Sequence, residues 1–163
     1  MAGYGDDAGF AAWLSDNGFS LPAGAPSPAA LRQRGSVHVD GHTFPGAPTG
    51  GVMQERAWPR TGATANYQPV PSDVIPVAIV QASYAAAYYE ALNPGALSTS
   101  ASTDARVKRK RERIEGAVDE ETEYFSTGDA AADAKVSIPA VEGLLAAFVY
   151  VVPAVALGVM SLG

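Results

Sequence analysis

The stretch that decides the fold runs from Asp73 to Leu92 and reads DVIPVAIVQASYAAAYYEAL. Ser72 or Asp73 can cap a helix here, and Pro76 falls in the first turn, where backbone donors lack helical partners anyway. One apolar stripe holds Ile75, Ile79, Ala82, Ala86 and Tyr89, and a second holds Val74, Ala78, Ala85, Tyr88 and Leu92. A helix that is apolar nearly all round is buried on several sides. We expect neighbouring subunits to supply part of that burial, because one short chain has few elements to surround it.

Two shorter helices are predicted before it. Asp6 to Asn17 form an amphipathic pattern that Gly18 can end. Its apolar stripe consists of Phe10, Trp13 and Leu14. After a linker, Ser27 can cap a second helix over Ala29 to Gly35, with Pro28 at its first position.

The region after the second helix favours a brief strand, because Val37 and Val39 alternate with polar residues before a loop rich in turn residues. His38 and His42 are four residues apart, and on a helix this spacing would aim both imidazoles at one metal ion. A strand followed by a turn at Gly41 separates them instead. We therefore expect no metal site here, and no cofactor.

A fixed corner is predicted at Gln54 to Gly62, QERAWPRTG, where a large aromatic residue precedes a proline and an arginine. Trp58 is either an anchor at a protein interface or a plug in the core beside the long helix. Arg60 is expected at the surface, in contact with a neighbouring subunit.

The most charged segment lies at about 106–125, where six cations from Arg106 to Arg113 are followed by a run of acids. Gly116 suits the turn of a hairpin whose arms carry opposite charge. The candidate interface residues are Arg109, Arg111, Arg113, Glu120 and Glu121. An electrostatic seam between subunits, a solvated hairpin and a DNA contact are the alternatives. The DNA contact is disfavoured because no aromatic residue lies between Leu92 and Tyr124, and single-strand binding needs stacking platforms.

The last residues, 143–163, read GLLAAFVYVVPAVALGVMSLG and carry no charge. Their length suits a membrane helix, but Pro153 lies in the middle and no basic residue flanks the segment. We interpret the segment as an arm buried against protein. The candidate contacts are Phe148, Tyr150, Val152, Val155, Leu157 and Leu162.

Composition narrows the class further. The chain has 163 residues, no cysteine, a net charge of -6 and a pI near 4.8. Disulfides, thiolate metal sites and cysteine nucleophiles are therefore excluded. The acidic balance argues against a surface that grips nucleic acid as a whole, because phosphate affinity depends on Lys and Arg. No catalytic motif is present, so no enzyme is predicted.

Four stretches, in this order, resemble the bacteriophage head-tail adaptor, or connector, family, some members of which are described as DnaT-like single-stranded DNA binding proteins. They are WPRTG, VPSDVIPVAIVQASYAAAYYEAL, EETEYF and IPAVEGLLAAF, and they span about Gln54 to Phe148. The most specific parts are Ala57 to Gly62 and the pair Ile75-Pro76. The first fifty residues fit less well, because this family usually opens with a longer helical pair.

The resemblance implies a mainly α fold: a small helical adaptor domain over 1–142 with a short β-hairpin and extended N- and C-terminal arms. The apolar C-terminal arm, over 143–163, would dock on the portal or on a neighbouring subunit. It also implies a homo-oligomeric ring, commonly dodecameric, that binds the portal protein above and a tail or stopper protein below. Double-stranded DNA would pass through the lumen without sequence-specific binding. The location would be the virion head-tail interface, and the host cytoplasm during assembly, with no membrane. The alternatives are a single-stranded DNA binding, replication-associated protein and a small tail-anchored membrane protein.

Overall fold

The computed structural model describes residues 2–98, 109–114, 117–123 and 136–148. The described part is a small, mostly helical domain with short antiparallel strand pairs. The helices are α1 (Asp7–Asp16), α2 (Pro28–Asp40), α3 (Val77–Leu92) and α4 (Pro139–Leu145). The strands are β1 (Ala47–Pro48), β2 (Arg60–Thr61), β3 (Thr64–Ala65), β4 (Gln68–Pro69), β5 (Arg109–Ile114) and β6 (Ala117–Glu123), and they pair β1 with β2, β3 with β4 and β5 with β6.

The predicted starts of α1 and α2 are confirmed, because each has a local cap. The Asp6 carboxylate accepts a hydrogen bond from the Gly9 amide at 2.6 Å. The Ser27 hydroxyl accepts from the Ala30 amide at 3.3 Å, and Pro28 occupies the first helical position. Such caps satisfy amides that have no partner within the helix.

The predicted end of α2 was wrong, and so was the strand at Val37 and Val39. The helix continues to Asp40. Its buried face includes Leu31, Gly35 and Val39, spaced four residues apart, and it packs on α3. Burial of this face outweighs the strand preference of the valines, which is weak and depends on context.

The start of α3 also differs from the prediction. The helix begins at Val77, with Pro76 as its N-cap. A residue before proline is disfavoured in the helical region, so Ile75 stays outside the helix.

Much of the burial of α3 comes from its own chain, and the expectation that neighbouring subunits supply part of it stays a prediction. Helices α1, α2 and α4 all contact it. Ile79, Ala82, Ala86 and Ala87 are completely buried. The first stripe is therefore largely covered, whereas Leu92 of the second stripe is 52% exposed.

The residues before α1 do not form an extended arm. Tyr4 is buried, and its amide donates to the Ser36 hydroxyl at 2.8 Å. The Arg32 guanidinium donates to the carbonyls of Gly3, Tyr4 and Gly5. These contacts fix the N-terminal segment along α2.

The predicted charged hairpin is confirmed at the level of its backbone. In β5 and β6, Arg109 lies opposite Glu123 and Arg111 lies opposite Glu121. Opposite charges at directly opposed positions stabilise a strand pair.

Candidate functional site

The fixed corner is built around a buried arginine. Arg60 is only 9% exposed, so the expectation that it lies at the surface was wrong. Its guanidinium donates to the carbonyls of Phe44, Pro45, Gly46 and Ala57 at 2.6 to 3.1 Å. Burial lowers the pKa of Arg60, because loss of solvent disfavours the charged form. The side chain ties the loop before β1 to the corner.

Trp58 is 1% exposed and lies in the core beside α3. It packs edge to face against Phe44, with ring centroids 5.6 Å apart, and against Phe148, at 5.8 Å. Of the two interpretations drawn from the sequence, this position matches the core plug. Phe148, predicted as part of a docking arm, contacts the core of its own chain, and the predicted start of that arm at 143 falls inside α4.

A polar network holds the corner to the N-terminal segment. The Tyr4 hydroxyl donates to Asp40 and accepts from the Trp58 amide at 3.1 Å. Arg56 forms an ion pair with Asp40 at 2.9 Å. Burial raises the pKa of Tyr4, and the hydrogen bond to Asp40 raises it further, so Tyr4 remains a proton donor at neutral pH. The corner is rigid because both of its ends are hydrogen-bonded.

Two loops beside this corner carry large apolar side chains in solvent. Val52 is 100% exposed and Met53 is 87% exposed, both on the short helical turn between β1 and β2. Tyr67 is 99% exposed, at the tight turn between β3 and β4. Asn66 and Tyr67 both have positive φ, at 49° and 64°, as type I′ hairpin turns require. We call Val52, Met53 and Tyr67 the loop-tip residues.

The loops that carry these residues are anchored. The Thr49 hydroxyl donates to the Ser72 carbonyl at 2.6 Å. The Gln54 side chain accepts from the Gly50 amide and donates to the carbonyls of Arg56 and Pro59. Sequence reasoning missed the loop-tip residues, although the glycines at 50 and 51 already indicated a turn at the surface.

The arginines of the helical body are all engaged by acceptors of their own chain. Within residues 2–98 and 136–148 the basic residues are Arg32, Arg34, Arg56 and Arg60. Three of these form ion pairs, with Asp7, Glu90 and Asp40 respectively, and Arg60 is buried among carbonyls. This part of the molecule therefore presents no cluster of unpaired cations to a phosphate chain.

An open aromatic groove of about 640 Å³ lies between α1, α3 and α4. The side chains that line it include Trp13, Phe19, Tyr88, Leu92, Ala140 and Leu144. Phe19 stacks on Tyr88 with centroids 4.6 Å apart and planes 10° apart. Phe19 and Leu92 remain 40% and 52% exposed. We call this feature the aromatic groove.

The remaining predicted site residues belong to the charged hairpin and to the C-terminal arm. Arg109, Arg111 and Arg113 lie on β5, and Glu120 and Glu121 on β6. The arm residues Tyr150, Val152, Val155, Leu157 and Leu162 lie outside the described residues.

The histidine pair was assigned to the wrong secondary structure. His38 lies on α2 and His42 just after it, with ring centroids 5.6 Å apart. His42 also lies 3.2 Å from a carboxylate oxygen of Glu142. Within the described ranges there is no group of three or more His, Asp or Glu side chains placed to hold a metal ion. None of the described helices is long and apolar enough to cross a bilayer.

The fold and its surfaces define a small, mostly helical domain with a rigid corner and an open groove. Residues 3–159 match the model of the family described as "Putative DnaT-like ssDNA binding protein", so the chain belongs to that family. Neither the curated proteins nor the solved structures contain a match to this chain.

Proposed function

We propose that this protein is a structural virion subunit: a head-tail adaptor that forms a ring on the portal of a tailed phage and continues the DNA channel toward the tail. The observation that carries the proposal is the set of loop-tip residues, Val52, Met53 and Tyr67. Large apolar side chains in full solvent on anchored loops are typical of an interface that assembly completes, and Tyr and Met are enriched in such interfaces.

The charge distribution supports the same function. The arginines of the body are engaged internally, and two opposed positions of β5 and β6 each place an arginine opposite a glutamate. A channel wall has to let duplex DNA slide, and free cations would hold its phosphates. An acidic subunit, with a net charge of -6, suits such a wall.

Deletion and complementation test the proposal in the phage that carries the gene. Deletion should give filled heads without tails, seen by electron microscopy, and the wild-type gene should restore joined particles. Tailed, infectious particles in the absence of the gene would refute the proposal.

A variant separates assembly from folding. Tyr67→Ser together with Met53→Ser should leave the monomer folded, since both side chains are exposed, but should abolish rings in negative-stain images and native mass spectra. Val77→Ser is the matched control, because Val77 is 70% exposed but belongs to α3 and to neither loop. If the loop-tip variant formed rings as well as Val77→Ser does, the loop-tip residues would not be part of the ring interface.

Single-stranded DNA binding is the second candidate, favoured by the family description and by the aromatic groove, since Trp13, Phe19 and Tyr88 could stack on bases. The groove lacks the cations that such binding uses, and Asp16 lies at its edge. Fluorescence anisotropy with an oligo-dT probe across a salt series decides between the candidates. Micromolar binding that falls steeply with salt and quenches Trp13 would replace the adaptor proposal.

A further inference from the structure

We propose that the aromatic groove is the docking site of the chain's own C-terminal segment, residues 149–163, folded back in cis. The groove is lined by aromatic and aliphatic side chains, and its volume of about 640 Å³ is that of a site that takes several side chains. The inference concerns the single subunit and does not depend on the proposed function.

The chemistry of the groove selects an uncharged occupant. Among the residues that line it, Asp16 is the charged one. Phosphates would be repelled there, and a peptide with several charges would bury more charges than a single carboxylate can pair. The segment 149–163 contains no charged residue and is rich in valine, leucine and alanine. Its side chains would therefore lose water on entering the groove without leaving an ionic group unpaired.

The position where the described chain stops favours this occupant. Leu144, on the last turn of α4, lines the groove, and the described residues stop four positions later at Phe148. The 15 residues that follow could span about 50 Å when extended. Along α4 the groove runs from Ile138 to Leu144, which is only about 9 Å of helix. The segment begins after Phe148, which packs against Trp58, and it is long enough to turn back from there and reach the groove.

Tethering favours the chain's own segment over that of a second copy. A short flexible link gives an effective concentration of the order of millimolar. A second copy at micromolar concentration competes at a disadvantage of about a thousandfold. Until a larger partner offers a better surface, the segment should stay on its own subunit.

Disulfide trapping tests the proposal, and the chain offers a clean background because it has no cysteine. One cysteine replaces Ala140, which is exposed and lines the groove. The other replaces Tyr150, Val155 or Val159 in turn. The control pairs use Val77→Cys, which is also exposed but does not line the groove. Mild oxidation of the full chain at low micromolar concentration is followed by non-reducing electrophoresis and peptide mass spectrometry.

We expect at least one Ala140→Cys pair to form an intrachain disulfide about tenfold faster than its Val77→Cys counterpart, as a docked segment requires. Adding Leu92→Glu, which places a charge in the groove at a half-exposed position, should lower that rate to the control level. Rates equal to those of the Val77→Cys counterparts at all three tail positions would overturn the proposal. Predominant interchain disulfides would overturn it in favour of a second copy. Either failure would leave the adaptor proposal standing, since ring formation is measured separately.

Discussion

Two aromatic clusters meet at α4, and they differ in whether the described chain closes them. On one face, Val141 and Leu145 join Trp58 in the core, and Phe148 covers the indole. On the next face, Ala140 and Leu144 border the aromatic groove. The same short helix therefore completes one cluster and leaves the other open.

This difference in burial separates a cluster that the subunit packs completely from one that it leaves partly exposed to solvent. A cluster whose members are fully buried contributes to stability by itself. A cluster with Phe19 and Leu92 half in water gains little until something covers it. Substitutions in the closed cluster should lower the free energy of unfolding, and those in the open one should chiefly change binding.

Trp58→Ala should have the largest effect. It removes an indole that is 1% exposed, and such truncations cost about 3–5 kcal/mol. Urea denaturation should show a large fall in the midpoint. Trp13→Ala, on the groove side, is the comparison and should cost clearly less. Equal losses would mean that the groove is as closed as the core.

Gly35→Ala tests the packing between α2 and α3 that the closed side depends on. A Cβ at Gly35 would lie 2.2 Å from the Ser83 carbonyl oxygen and 2.7 Å from the Ala87 nitrogen, both backbone atoms. Overpacking of this kind costs about 1–3 kcal/mol, and here the backbone has to move. Thermal denaturation measures the loss.

Gly143→Ala is the matched control for that substitution. It lies inside α4, and a Cβ there meets nothing within 4 Å. Alanine should raise the free energy of unfolding by about 0.5–1 kcal/mol through helix propensity. If both substitutions lowered the free energy of unfolding, the close contact with Ser83 would not be the cause of the loss in Gly35→Ala.

Glu90, on α3, carries a carboxylate that is completely buried. Burial alone would raise its pKa, but the amides of Leu97 and Gly95 and the Arg34 guanidinium outweigh burial and hold the pKa below its usual value. Because the pKa of Glu90 is lower in the folded state than in the unfolded state, its ionisation stabilises the fold at pH values above the pKa of the unfolded state. This stabilisation is lost as the pH falls through the pKa of the folded state.

Glu90→Gln should therefore cost about 1–3 kcal/mol at neutral pH, because a charge-assisted set of hydrogen bonds is weakened. The difference in the free energy of unfolding between wild type and variant should become smaller as the pH falls through the acid range. Urea midpoints between pH 7 and pH 3 measure it. A gap that stays constant with pH would contradict the role given to the charge.

Local chemistry made the helix starts predictable, because the caps at Asp6 and Ser27 act within three residues. The end of α2 was not predictable in this way. Val37 and Val39 carry a strand preference, and the burial that overrides it depends on Gly35 meeting Ser83 of α3, far along the chain.

The buried state of Arg60 shows the same limit. A guanidinium is expected at the surface unless its donors find partners. Here the carbonyls of Phe44, Pro45 and Gly46, more than a dozen residues away, supply them. The second stripe of α3 was visible in the sequence, but the placement of α4, which leaves Tyr88 and Leu92 bordering a groove, was not.

Phe19→Ala should have the smallest effect on stability and the clearest effect on the groove. Its ring is 40% exposed and stacks on Tyr88, and such pairs contribute about 0.5–1.5 kcal/mol. In a Trp58→Phe background Trp13, whose ring lies 5.7 Å from that of Phe19, is the fluorescent reporter of the groove. We expect its emission to shift to longer wavelength while the unfolding midpoint moves little. Tyr67→Ala, a fully exposed aromatic outside the groove, should change neither quantity, and an unchanged Trp13 spectrum in Phe19→Ala would mean that Phe19 does not shield the indole.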